Sequence, residues 1–249
     1  MDLENQPLLK PISTSDNALD TTVHAEQGPG DKASGHSTSL KLYLIRHGET
    51  EWSLSGQYSG HSDIPLTAHG ETAAREVGKR LQHVPFAHVL MSPLQRARQT
   101  CLLAALKPAP EIEPNLTEWD NGDYEGRTPA EIREAQPEWN LFRDGAPNGE
   151  SPAQISERVD LLIAHLRTLD GNVAIFSHGH LCRVLAARWI GLSVEQSERL
   201  LLNTASISIL SYAHDCPDEP AIALWNSEAN ESFNPAPVPA SVAAKGTTL

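Results

Sequence analysis

Between residues 40 and 226, short apolar runs alternate with longer stretches in which apolar side chains recur every third or fourth position. LKLYLI (40–45), HVLM (88–91), VAIFS (173–177), SISIL (206–210) and AIALW (221–225) are short and nearly continuous, the pattern of strands buried on both faces. The segments between them read as helices. TAHGETAAREVGKRL opens on Thr67, a helix-capping residue type, with Glu71 in the first turn, where the helix dipole favours negative charge. SPLQRARQTCLLAAL starts at Ser92-Pro93, with the proline near the first helical position. ISERVDLLIAHLRTL sets Ile155, Val159, Leu162, Leu166 and Leu169 on one face, and LCRVLAARWI follows the strand VAIFS. Continuous strands separated by amphipathic helices predict an α/β fold of three layers, a mostly parallel sheet with helices on both faces. Ligands in such folds sit at the carboxyl ends of the strands.

The flanks break the pattern. Residues 1–39 and 227–249 are poor in large apolar residues and rich in small and polar ones, too little apolar surface to offset the entropy of ordering. They are expected to be disordered tails around one domain at 40–226. The N-terminus MDLENQPLLK is acidic and lacks the charged and apolar regions of a signal peptide, and no run reaches the roughly 18 apolar residues of a membrane span. The expectation is a cytoplasmic protein without a membrane partner. Nineteen basic residues against 32 acidic ones give a formal charge of −13, which argues against a nucleic-acid partner. Any anion must therefore be held locally. Cys101, Cys182 and Cys216 show no metal-ligand spacing and read as reduced, idle thiols. Self-association is left open.

Candidate chemistry collects where the strands end. Arg46 and His47 close the first strand and are followed by Gly48, where backbone can approach a ligand or turn to positive φ. VAIFSHGH repeats the arrangement with His178 and Gly179. Between them, Arg96 and Arg98 fall in the first turns of a helix, against the dipole unless an anion lies nearby. Guanidinium forks suit phosphoryl oxygens, and a neutral imidazole can attack through one nitrogen while the other donates to a carbonyl. Neighbouring arginines favour the neutral imidazole. No P-loop, kinase glycine loop or spaced Asp cluster is evident, so the nucleophile is expected from the protein, with no metal and no cofactor.

LIRHGETEW, SPLQRARQT, LTEWDNGDYEG and FSHGH together resemble the histidine phosphatase superfamily, in its phosphoglycerate-mutase-like branch, over Leu40 to Asn226. The resemblance implies that His47 is a nucleophile that becomes phosphohistidine, that Arg46, Arg98 and His178 grip the phosphoryl group, and that Glu118 is the general acid and later the base. Leu116, Glu118, Gly122, Glu125 and Gly126 carry the loop pattern. His61, His69, His83, His88 and His165 fit no block. His180 beside His178 suggests a metal pair, but the family needs no metal.

Departures from the family pattern bear on substrate. Ser53 stands where mutases of the family usually have Asn, and the segment after the Glu118 loop lacks the paired-arginine insertion of bisphosphoglycerate-recycling mutases. RHGETEWSLSGQYSGHSDIPLT and SHGHLCR resemble the subgroup that includes sedoheptulose-1,7-bisphosphatases. The expected function is hydrolysis of small phosphorylated metabolites, a sugar phosphate or bisphosphate. A mutase-type phosphotransferase and a non-catalytic phospho-ligand binding module are the alternatives. Ser53, Tyr58, Ser59, Gly60 and Gly179 are candidate substrate contacts, and Arg183 is a candidate anchor for a second phosphate.

Overall fold

A computed structural model describes residues 40–228. The segments 1–39 and 229–249, read above as tails, lie outside the described residues.

Six strands, β1 (Lys41–Arg46), β2 (Phe86–Met91), β3 (Glu111–Ile112), β4 (Asn172–Ser177), β5 (Ile207–Tyr212) and β6 (Pro220–Ser227), form one sheet in the order β3-β2-β4-β1-β5-β6. β3, β2, β4 and β1 are mutually parallel, β5 pairs antiparallel with β1, and β6 pairs antiparallel with β5. Only β5 therefore runs against the rest, as a mostly parallel sheet requires. The helices are α1 (Glu51–Ser55), α2 (Ala68–Leu81), α3 (Gln95–Ala104), α4 (Pro129–Ala135), α5 (Leu141–Asp144), α6 (Pro152–Leu166) and α7 (Gly179–Trp189).

Successive strand side chains point to opposite faces, and the core divides accordingly. Leu42, Leu44, Val173, Ile175 and Leu210 pack with α6 and α7 through Ile155, Val159, Leu162 and Leu185. Tyr43, Ile45, Ala174, Phe176 and Ile209 pack on the other face with Val77 and Leu81 of α2 and Cys101 of α3. The sheet is thus covered on both sides. Leu169 packs against the first cluster from beyond the end of α6 rather than from its helical face. Burial pushes the Cys101 and Cys182 thiols up to about 12, so neither is a thiolate at neutral pH.

Three boundaries differ from the sequence reading. α3 begins at Gln95, with Leu94 as an N-cap whose side chain has no acceptor, while the Ser92 hydroxyl accepts from the Leu94 amide at 3.3 Å and meets His178. α7 starts at Gly179, two residues earlier than the apolar run suggests. The domain does not end at residue 226: Ser227 belongs to β6, is buried, and its hydroxyl accepts from Arg80 Nη2 at 2.7 Å. Gly48 is needed for close approach within the protein, since a Cβ there would lie 2.5 Å from the Gly70 carbonyl oxygen. That contact brings the start of α2, capped by Thr67 as predicted, against the loop following β1.

Among the described residues, no helix is long and apolar enough to cross a membrane.

Candidate active site

β1 and β4 are adjacent and in register, with Arg46 opposite Ser177, so the residues following each strand emerge together at one sheet edge. His47 and His178 are both buried, with ring centroids 5.3 Å apart. The His47 amide donates to the Ser177 carbonyl at 2.9 Å.

His47 Nδ1 lies 2.7 Å from the Gly48 carbonyl oxygen. A carbonyl only accepts, so Nδ1 carries the hydrogen and Nε2 keeps the lone pair. Burial, then the charges of Arg96 and Arg46, hold this imidazole well below its ordinary range. The Gly48 amide is itself fixed by the Thr100 hydroxyl at 2.9 Å. The nucleophile expected from the sequence is therefore neutral and of defined tautomer.

His178 is equally constrained. Its Nδ1 accepts from Arg96 Nε at 3.1 Å, so Nε2 is the protonated nitrogen and donates to Ser92 Oγ at 2.7 Å. Burial and Arg96 hold its imidazole well below the usual value. With both ring nitrogens engaged, His178 has no lone pair to offer a metal alongside His180.

The second arginine of the site is Arg96, not Arg98. Arg96 is fully buried, and besides His178 it donates from Nη1 to the Ser62 carbonyl and from Nη2 to the Gly60 carbonyl, each at 2.8 Å. Arg98 is two positions further along α3, roughly 200° around the helix, and is exposed. Glu125 supports the same loop, accepting from the His61 amide at 2.6 Å and the Ser62 amide at 2.8 Å. Arg96, Ser92, Thr100 and Glu125 were the parts of the site not assigned a role from sequence.

Arg46 donates from Nη1 to the Leu202 carbonyl, while its buried Nε finds no hydrogen-bond partner among the described residues. An orphaned guanidinium N–H in a cleft is a donor awaiting an anion. Gly179 lies against this group, and a Cβ there would sit 3.3 Å from the guanidinium carbon.

Glu118 is 4% exposed and rests on the first turn of α7. Its Oε1 accepts from the Trp119 and Leu181 amides at 2.9 Å each, and Oε2 accepts from the His180 amide at 3.1 Å. Burial raises this carboxyl, but the His180 side chain and the amide donors outweigh burial and hold it well below the usual carboxylate range. In the free site Glu118 is a carboxylate.

Arg46, His47, Ser53, Gln57, Tyr58, Ser59, Glu118, Gly179, His180, Arg183 and Leu202 line one cleft of about 480 Å³, its open mouth included. Ser53 lines it but has no free donor: its hydroxyl donates to the Thr50 carbonyl and accepts from the Thr50 amide, both at 2.9 Å, in the capping box of α1. Gly60 is not in the lining; it contributes the carbonyl that holds Arg96. Tyr58 packs against Trp139 and His180, with ring centroids 5.8 and 5.5 Å away. Arg183 lies over the Phe142 ring at 4.4 Å and donates to the Ser197 and Glu198 carbonyls at 3.3 and 2.5 Å.

Two strand-end histidines, a buried arginine on each side of them and a carboxylate at a helix N-terminus make a site for phosphoryl groups, and residues 42–228 match the family described as histidine phosphatase superfamily (branch 1). The chain belongs to that superfamily. It is similar to an acid phosphatase of Mycobacterium tuberculosis, 38% identical over 180 residues covering 70% of this chain and 87% of that protein. It is 33% identical to sedoheptulose 1,7-bisphosphatase of Saccharomyces cerevisiae, over 76% of this chain and 93% of the relative. The solved structure of a Mycobacterium tuberculosis open reading frame product superposes with a TM-score of 0.72 at 34% identity, covering 77% of this chain and 99% of that one.

Proposed function

We propose that the protein hydrolyses phosphate monoesters of small metabolites, sugar phosphates or bisphosphates, through a phosphohistidine on His47. The carrying observation is the pinned His47: Nδ1–H is bonded to Gly48, leaving the Nε2 lone pair on a residue that lines the same cleft as the unpartnered Arg46 Nε and Glu118. Nε2 attacks phosphorus, a P–N bond forms, and the P–O bond to the alcohol breaks. Arg46 meets the charge on the phosphoryl oxygens, and Arg96 supplies a second fixed positive charge behind His178.

Glu118 donates the proton that the leaving alkoxide needs, then removes a proton from the water that attacks phosphohistidine. Its carboxylate is ionised in the free site, so protonation must accompany substrate binding. An incoming phosphate dianion favours this, because a second negative charge nearby raises the affinity of a carboxylate for a proton.

The bisphosphate reading rests on Arg183. It lines the cleft, two backbone carbonyls hold it, and among the described residues no carboxylate lies within ion-pair distance of it. Burial lowers it to about 10, so it remains charged at neutral pH and is free to meet a second phosphate. Hydrolysis is supported by the relatives named acid phosphatase and sedoheptulose 1,7-bisphosphatase, and relatives named probable phosphoglycerate mutase, 34–35% identical, keep transfer as the second reading.

The test is turnover of 4-nitrophenyl phosphate and of a panel of sugar mono- and bisphosphates. His47→Ala is expected to abolish all of it, and rapid acid quench of the wild type to trap an acid-labile, base-stable phosphoenzyme; undiminished turnover in the variant would overturn the mechanism. Arg183→Ala should lower kcat/KM for bisphosphates at least about tenfold more than for monoesters, the worth of a charge-assisted contact. Equal losses would remove the second-phosphate anchor.

A further inference from the structure

The carboxylate assigned as proton donor is an anion in the free site, and its bonded neighbours cannot supply a proton. The Trp119, His180 and Leu181 amides that hold Glu118 are backbone donors that stay protonated. The basic side chain at ion-pair distance is His180, whose Nδ1 lies 3.6 Å from Glu118 Oε2. Its ring lines the cleft and is set between Tyr58 and Phe142, with centroids 5.5 and 5.6 Å away. Imidazole is the side chain that ordinarily gains and loses a proton near neutrality.

We propose that His180 is the proton reservoir of Glu118, passing a proton from Nδ1 to Oε2 when substrate enters and taking it back when phosphate leaves. The inference rests on Glu118 being the general acid. The protons balance over one turnover. In this scheme the reserve proton sits on His180 Nδ1 while Glu118 is a carboxylate. Arrival of the phosphate dianion moves the Nδ1 proton to Oε2, leaving a neutral imidazole protonated at Nε2. Glu118 gives that proton to the ester oxygen as the P–O bond breaks and the P–N bond to His47 forms. Water attacking phosphohistidine returns a proton to Glu118, and release of phosphate returns it to His180. The 3.6 Å separation is of the kind that shortens in a substrate complex.

The surroundings of His180 are suited to this exchange. Glu118 faces it from the segment between β3 and α4, Tyr58 from the loop after α1, and apolar Phe142 from α5. Arg46 at the end of β1, His47 just after it and Arg183 from α7 share the cleft. No other residue of the cleft lining combines a titratable nitrogen with ion-pair proximity to Glu118.

The test compares two esters in two variants. A 4-nitrophenolate leaves without a proton, whereas the alkoxide of glycerol phosphate needs one. Glu118→Gln is expected to lower kcat/KM, which reports only the steps up to P–O cleavage, on glycerol phosphate at least about 100-fold more than on 4-nitrophenyl phosphate, the range for loss of a general acid. His180→Gln keeps a side-chain donor and the backbone amide but cannot titrate. It is expected to show the same selectivity, about tenfold or more between the esters. Equal effects on both esters in His180→Gln, beside a selective Glu118→Gln, would overturn the role of His180 alone. An unselective Glu118→Gln would remove the general acid and, with it, the reservoir. Should His180→Gln not fold, His180→Phe keeps a ring between Tyr58 and Phe142 and enters the same comparison.

Discussion

Arg96 is held at three points by acceptors that lie in different directions, the Gly60 and Ser62 carbonyls and His178 Nδ1. A planar guanidinium can meet all three, whereas an ammonium of similar reach concentrates its donors at one atom. Arg96→Lys therefore frees the loop at 60–62 and removes the bond that fixes the tautomer of His178. Displacements of about 1 Å in such an arrangement cost on the order of 100-fold. The expected outcome is a fall in kcat/KM of about that size for 4-nitrophenyl phosphate. Arg98→Ala, on the exposed side of the same helix, should stay within about twofold and shift stability by no more than about 0.5 kcal/mol. Steady-state kinetics of the two variants side by side provide the check, and the reverse order would mean that the buried arginine has been misassigned.

At the scale of the elements, a stripe of small residues distinguishes those two arginines in the sequence. Ala97, Thr100, Cys101 and Ala104 are small and recur at steps of three, one and three, and that stripe is the buried face of α3. Arg96 lies on it; Arg98 shares the opposite side with Leu102, which is 60% exposed and disguises the polarity of that face. The long strands and the helices α2, α6 and α7 were legible because each buries a periodic apolar set. β3, of two residues, and α1, α4 and α5, of four to seven, carry too few positions for a period to register. Their ends are fixed by long-range bonds invisible in any local window. Arg158 of α6 is such a case: it pairs with Glu150 at 2.6 Å and donates to the Asn115 and Thr117 carbonyls at 2.8 and 2.9 Å, tying α6 to the loop that carries Glu118. Glu150 in turn accepts from the Asp120 amide and, through its carbonyl, from Trp119 Nε1. Arg158→Met keeps the apolar stem but loses the clamp. It is expected to destabilise by about 2–4 kcal/mol, since the pair is only partly shielded and an unpaired Glu150 remains. Urea unfolding measures this, and a change below about 0.5 kcal/mol would show that the clamp does not hold the loop.

At the scale of the whole molecule, the site makes stability depend on pH. His47 and His178 are buried with their affinity for protons depressed, so below the ordinary imidazole value of about 6.5 the unfolded chain binds protons that the folded chain does not. Stability therefore falls as pH drops from about 6.5, by at most about 1.4 kcal/mol per pH unit for each imidazole, until the folded-state values are reached. Glu118 adds a second window. Its folded value is depressed, so its contribution is complete above the ordinary glutamate value of about 4.3 and is lost as pH falls below it. The formal charge of −13 acts the other way, because acidification relieves repulsion among carboxylates. That repulsion is spread over an exposed surface and screened within about 8 Å at physiological salt, and most carboxylates keep their charge above pH 5. Between pH 7 and 5 the two buried imidazoles should dominate. Urea midpoints measured across that interval are expected to fall for the wild type, and His178→Gln should show a shallower fall because one of the two depressed groups is gone. A wild-type midpoint that rises with acidification would mean that surface charge outweighs the buried pair. An unchanged slope in the variant would mean that His178 is not held neutral by the fold.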